Sequence, residues 1–282
     1  SGVTNIQGVL SQSYDNMISL MANADDYRYN VLLTPGLFAS EAPLGASQVT
    51  SIISNTQNRG DAIFVSDLVP FSSSVNEATS AANAKNTSYA ASYWPWVQVI
   101  DPDSGKQVWV PASTLMPGVY AYNDKSAEAW FAPAGINRGG LSTVVQAERK
   151  LTQTNRDDLY TGKVNPIATF PGRGVVVFGQ KTLQSQASAL DRVNVRRLLI
   201  ELKESQKDIS AFIGGFINKD GMIEDAKGYH RALSIAMNPE KFAKFFYEQG
   251  KSHGTDDVIR KTKNVSMSMR NTPEITNKGI SS

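Results

Sequence analysis

The sequence predicts an α/β fold: a mixed, largely parallel sheet flanked by helices, followed by a mainly helical C-terminal segment. Three observations carry that expectation. Apolar strands and an amphipathic helix alternate from Tyr29 to Val69, and this order, with mostly continuous apolar strands, marks a parallel sheet covered by helices. The β-branched run Val175-Val176-Val177 precedes a helix in which Val195, Leu198, Leu199 and Leu202 recur at i, i+3, i+4 and i+7. Beyond residue 203 tryptophan disappears and Lys, Asp and Glu become frequent. A boundary is therefore expected there, between a core region 1–203 and an atypical segment 204–282 with a mobile end.

Taken in order, Tyr14 to Ala24 reads as a helix through Met17, Leu20 and Met21. Tyr29 to Leu33 is a short strand that Pro35-Gly36 is expected to stop. Ser47 to Asn58 is a helix with Val49, Ile52 and Ile53 on its apolar face and Gly60 as its C-cap. Ala62 to Val69 is a strand closed by Pro70, and residues 71–92 suggest a helix followed by a loop. Trp94 to Val99 and Val108 to Pro111 are apolar strands joined at Asp103-Ser104-Gly105, and they hold three of the chain's four tryptophans. Thr114 to Lys125 is expected to be helical despite Pro117-Gly118. Gly172-Arg173-Gly174 leads into the strand Val175 to Phe178, and a helix runs from Ala189 to Lys203, leaving Arg192, Arg196 and Lys203 for other surfaces. Asn238-Pro239-Glu240 starts a further helix, with Phe242, Phe245 and Phe246 on one face and Gly250 at its end.

Composition narrows the function. Hydrophobic content of 41% and charged content of 19% are globular values. The net charge of +2 creates no broad basic field for nucleic acid. Cysteine is absent, which removes disulfides and thiolate chemistry. No apolar run approaches the roughly 18 residues of a membrane span. The start, Ser1-Gly2-Val3-Thr4, lacks an initiator Met and a signal-peptide pattern, as expected of a fragment or processed product.

No catalytic constellation emerges. His230 and His253 belong to no metal-binding spacing. Asp103-Ser104-Gly105-Lys106 lacks the upstream glycine of a phosphate loop and precedes a strand, so a turn is the better reading. The pairs Asp157-Asp158 and Asp256-Asp257 are accounted for by helix-terminus charge. The tryptophans fit core packing better than a sugar or base platform. No cofactor, metal or catalytic residue is expected, and an envelope hydrolase is disfavoured for want of paired acids in a recognisable site.

Several segments, met in order, carry a resemblance: Tyr93 to Pro111, Trp130 to Gly140, and Asn165 to Leu202. Over residues 10–203 the chain resembles the contractile tail sheath proteins of myophage-type bacteriophages. That resemblance implies a non-enzymatic virion component, assembled in the host cytoplasm. Its partners would be copies of itself in a helical sheath, the tail tube protein and the baseplate. Members of the family stack as rings around a rigid tube and shorten irreversibly to drive it through a host envelope. The resemblance also implies an α/β core near the tube, outer domains, and terminal arms that add strands to neighbouring subunits. It makes Arg192, Arg196 and Arg197 candidate tube or subunit contacts; a solvated helix face with local ion pairs is the alternative. Two departures stand out. The amino-terminal part of a complete subunit is not present, and Ser205 to Ser282 does not resemble the usual sheath ending. A non-contractile virion or baseplate component reusing the sheath core is the alternative function.

Overall fold

Two short strands, β1 (Asn5–Ile6) and β2 (Val9–Leu10), pair antiparallel ahead of helix α1 (Ser11–Met21). The computed structural model describes residues 5–6, 8–40, 45–127 and 130–207, with isolated positions at 228, 244 and 247. Contacts divide the chain into two units, Ser1–Pro239 and Glu240–Ser282, and the elements below belong to the first. The helix expected from Asn238 to Gly250 lies outside the described residues, apart from the helical positions Lys244 and Tyr247.

Strand β3 (Val31–Phe38) does not stop at Pro35-Gly36, as the sequence predicts. It continues through a register shift between Leu33 and Phe38. The physical reason is its place at the edge of the sheet, where a proline's missing N–H leaves no ladder bond unmade and Gly36 supplies a φ of 84°. Helix α2 (Ala46–Arg59) buries Val49, Ile52 and Ile53 and ends at Gly60, whose φ of 68° is the left-handed cap expected there. Strand β4 (Ile63–Asp67) is buried on both faces. It pairs parallel with β3 on one side and with β5 (Ala90–Ala91) on the other. Between them, α3 (Val75–Asn83) starts at a reciprocal cap in which Ser74 and Glu77 bond each other's backbone N–H.

The tryptophan segment divides between two sheets. Strand β6 (Tyr93–Trp94) lies parallel to β10 (Asn165–Phe170), which pairs antiparallel with β11 (Gly174–Val177). After Pro95 the chain enters an antiparallel sheet of β7 (Val97–Ile100), β8 (Gln107–Val110) and β9 (Val144–Ala147). The β7–β8 turn closes where Asp101 N–H donates to the Lys106 carbonyl at 2.8 Å, with Gly105 at a φ of 67°. A 3₁₀ turn, Ala112–Leu115, leads into α4 (Met116–Ser126). Pro117 is tolerated there because it falls in the first turn, where N–H groups have no helical acceptor. Helix α5 (Gln153–Thr161) precedes β10, and α6 (Val193–Lys207) follows β11.

The class is thus α/β with mixed pairing: parallel in β3–β4–β5 and β6–β10, antiparallel in the remaining ladders. Alternation along the strands sorts the core into two layers. Leu32, Phe64, Ala90 and Trp94 join residues of α2 and α3 on one side. Ile63, Val65, Ala91 and Tyr93 join Met116, Val119 and Tyr120 of α4 and Val193 and Ile200 of α6 on the other. This period of two follows from side chains pointing to opposite faces of a strand.

Candidate functional site

Of the three arginines marked by the sequence, Arg192 lies just before α6, where the helix expected from Ala189 is instead a 3₁₀ turn over Ala189–Asp191, and Arg196 and Arg197 lie within α6; each reaches a different element. Arg192 pairs with Asp191 at 3.0 Å and donates to the Tyr160 hydroxyl on α5 at 2.5 Å. Arg196 donates to the Ser88 hydroxyl and lies 3.9 Å from the centre of the Tyr89 ring. Arg197 pairs with Asp124 of α4 at 2.5 Å and lies over the Tyr120 ring at 4.4 Å. The expected outward face therefore needs correction at Arg196, which is only 7% exposed. Val193, Val195 and Ile200 are the buried apolar residues of the helix, and Arg196 extends that buried stripe with its cation over an aromatic face. Of the three, Arg192 retains the most solvent contact.

Three other polar centres, not singled out by the sequence, tie the core together. Asn165, at the start of β10, is fully buried. Its Nδ2 donates to the carbonyls of Ser92 and Lys181, and its Oδ1 accepts from Lys181 N–H at 2.6 Å. A Cβ on Gly179 would come within 2.9 Å of that Oδ1, so the loop after β11 needs glycine to reach it. Asp67, at the end of β4, accepts from the Ser113 hydroxyl at 2.8 Å and from Gly36 N–H at 3.4 Å. Burial pushes its carboxyl up to about 6, against the hydrogen bonds that favour the charged form. Arg59 and Asp61 form a buried ion pair at 2.9 Å, held bidentately.

Among the described residues no three His, Cys, Asp or Glu side chains converge on a metal-sized site. His230, His253 and Asp256-Asp257 lie outside the described residues. Asp157 and Asp158 are both exposed on α5. A groove of about 760 Å³ between α4, residues 136–144 and the start of β11 carries one charged side chain, Arg173. Trp94 sits in the core at 2% exposure, as core packing predicts. Trp96 and Trp109 are half-buried, with Phe71 between them at 5.7 and 5.2 Å.

The three arginines are thus engaged within an α/β fold that buried polar contacts brace. The chain belongs to the phage tail sheath family: the model of the phage tail sheath protein central domain matches residues 12–183. The resemblance seen in the sequence is thereby borne out. The chain is 37% identical over 127 residues to the tail sheath protein of Vibrio phage KVP40, covering 45% of this chain and 19% of that protein. It is 40% identical over 95 residues to the tail sheath protein of Enterobacteria phage T4, covering 34% and 14%. The matched segments thus span less than a fifth of these curated relatives. Among solved structures, the sheath complex of the extracellular contractile injection system PVC, in its contracted state, superposes with a TM-score of 0.53. Identity there is 22%, with 83% of this chain and 60% of that one covered. The anti-feeding prophage baseplate gives 0.51 at 21% identity, over 83% and 57%. At these identities the likeness is one of fold.

Proposed function

We propose that the chain is the core of a subunit of a contractile tail sheath. Copies assemble into a helical sleeve around a tail tube, attached to a baseplate, and shortening of the sleeve drives the tube through a host envelope. The observation that carries this reading is the match to the tail sheath central domain over residues 12–183. The work is mechanical. It uses two packings of the same subunits, with energy stored at assembly in the less stable one. No bond in a substrate is made or broken, and no cofactor, nucleic acid or membrane insertion takes part. Assembly takes place in the host cytoplasm and the product resides in the virion.

Within that reading, residues 1–203 form the sheath core and 204–282 an appended segment. Arg192, Arg196 and Arg197 are proposed as the side of the core that meets the tube or a neighbour. Arg192 would make contact directly, while Arg196 and Arg197 hold α6 in place from within. A non-contractile baseplate component has less support, because the curated relatives matched are tail sheath proteins.

Negative-stain electron microscopy of the purified chain, across concentration and salt, tests the proposal. Tubes or stacked rings are expected. Discrete particles at every condition, with no incorporation into sleeves of a full-length sheath protein, would reject it.

A further inference from the structure

Three helices are joined end to end by cations. The carbonyl of Met21, the last residue of α1, has no partner further along its own helix and accepts from Arg59 Nη1 at 2.5 Å. Arg59 also donates to the Tyr27 carbonyl at 2.7 Å, forks onto Asp61 and lies 4.2 Å from the Tyr29 ring centre. Its own carbonyl, at the end of α2, accepts from Lys203 Nζ of α6 at 2.6 Å. Each cation thus sits at the negative end of a helix dipole, where it is favoured. The Arg59–Asp61 pair is 2% exposed on each side chain, so salt and water do not screen it.

The flanking parts of the chain join this fold through α1 and α6. We propose that the end of α2 is a mechanical clamp: tension arriving at α1 passes through Arg59 and Lys203 to α6 and bypasses the sheets. A sleeve linked through chain ends would load its subunits along this line, and to that extent the purpose of the clamp rests on the sheath reading. Its existence does not, because a single held molecule reports it.

The chain has no cysteine, so paired handles can be placed at will. In the full chain, Ser11→Cys with Ser205→Cys gives the axis through the clamp, and Asp103→Cys with Asp158→Cys gives a control axis. Each pair is held at fixed load in an optical trap. Lys203 is itself exposed, so Lys203→Met should shorten the lifetime on the first axis about threefold to fivefold, the loss expected for a solvent-exposed charged contact. It should leave the control axis within twofold, and Lys203→Arg should restore the lifetime. An unchanged lifetime on the first axis would overturn the clamp. So would equal shortening on both axes, which is general destabilisation. Tube formation does not enter this readout, so failure of the clamp and failure of the sheath reading are told apart.

Discussion

The hydroxyls of Tyr93 and Tyr120 lie 2.8 Å apart in the interior, bonding β6 to α4, while Arg197 covers the Tyr120 ring from α6. Burial drives both phenols upward, Tyr120 to about 12, so the pair stays neutral across the ordinary pH range. One hydroxyl donates and the other accepts, so each has a partner in the interior.

Removing one of them strands its partner. Tyr93→Phe and Tyr120→Phe are each expected to cost about 1–3 kcal/mol, the penalty of an unsatisfied buried polar group. The double variant should cost less than the sum, because no orphan hydroxyl remains. Urea unfolding of the four proteins measures this coupling.

Asp67 gives the stability a definite pH dependence. Its carboxyl is at about 6 in the fold, against 3.8 in a free chain, so between those values the folded state binds more protons. Its contribution is fully present below the unfolded value and is lost as pH rises through about 6. The shift corresponds to about 3 kcal/mol at most. Thermal unfolding from pH 4 to 8 should show this loss superimposed on the other titrations, and Asp67→Asn should flatten it.

Two adjacent glycines are expected to behave oppositely. A Cβ on Gly139 would lie 2.5 Å from the Val177 carbonyl oxygen, and the 135–139 loop is bonded to β11 through that same residue. A Cβ on Gly140 meets nothing within 4 Å. Gly139→Ala should therefore destabilise by about 1–3 kcal/mol, as overpacking does, while Gly140→Ala stays within about 0.5 kcal/mol. Chemical denaturation of both variants is the check.

Arg192, just before α6, and Arg196, within it, should separate by role. Arg196→Met, which leaves Ser88 without its partner and Tyr89 without its cation, should lower stability by about 1–3 kcal/mol. Arg192→Ala should reduce tube formation with a smaller change in unfolding midpoint. Microscopy and calorimetry on the same preparations distinguish the two effects.

Much of this fold was legible because local and tertiary signals agree. The apolar stripe of α2 ends at a glycine that takes the left-handed cap, and the Asp101–Lys106 turn follows from its Pro, Asp and Gly. The Ser74-x-x-Glu77 pattern is the sequence signature of the cap that starts α3. Strand β5 carried no signal, since two alanines have neither β-branching nor alternation. Its pairing comes from the neighbouring β4. Arg196 reads as outward-facing because residue type weighs charge, while the fold offers an aromatic ring and a hydroxyl to bury it. Asp67 and Asn165 depend on partners 46 and 73 residues away, which no local pattern contains; Arg59 and Asp61 stand two apart, but the Met21 and Tyr27 carbonyls that Arg59 also reaches are distant in sequence.

Between Trp94 and Val97 the backbone passes from the ladder of β6, β10 and β11 to that of β7, β8 and β9. The two ladders still share a core, in which Val97, Val144 and Ala147 pack with Ile167, Val175 and Val177. Amide protons of β8, an exposed edge strand, should exchange with solvent ahead of those of β4, which is buried along its whole length.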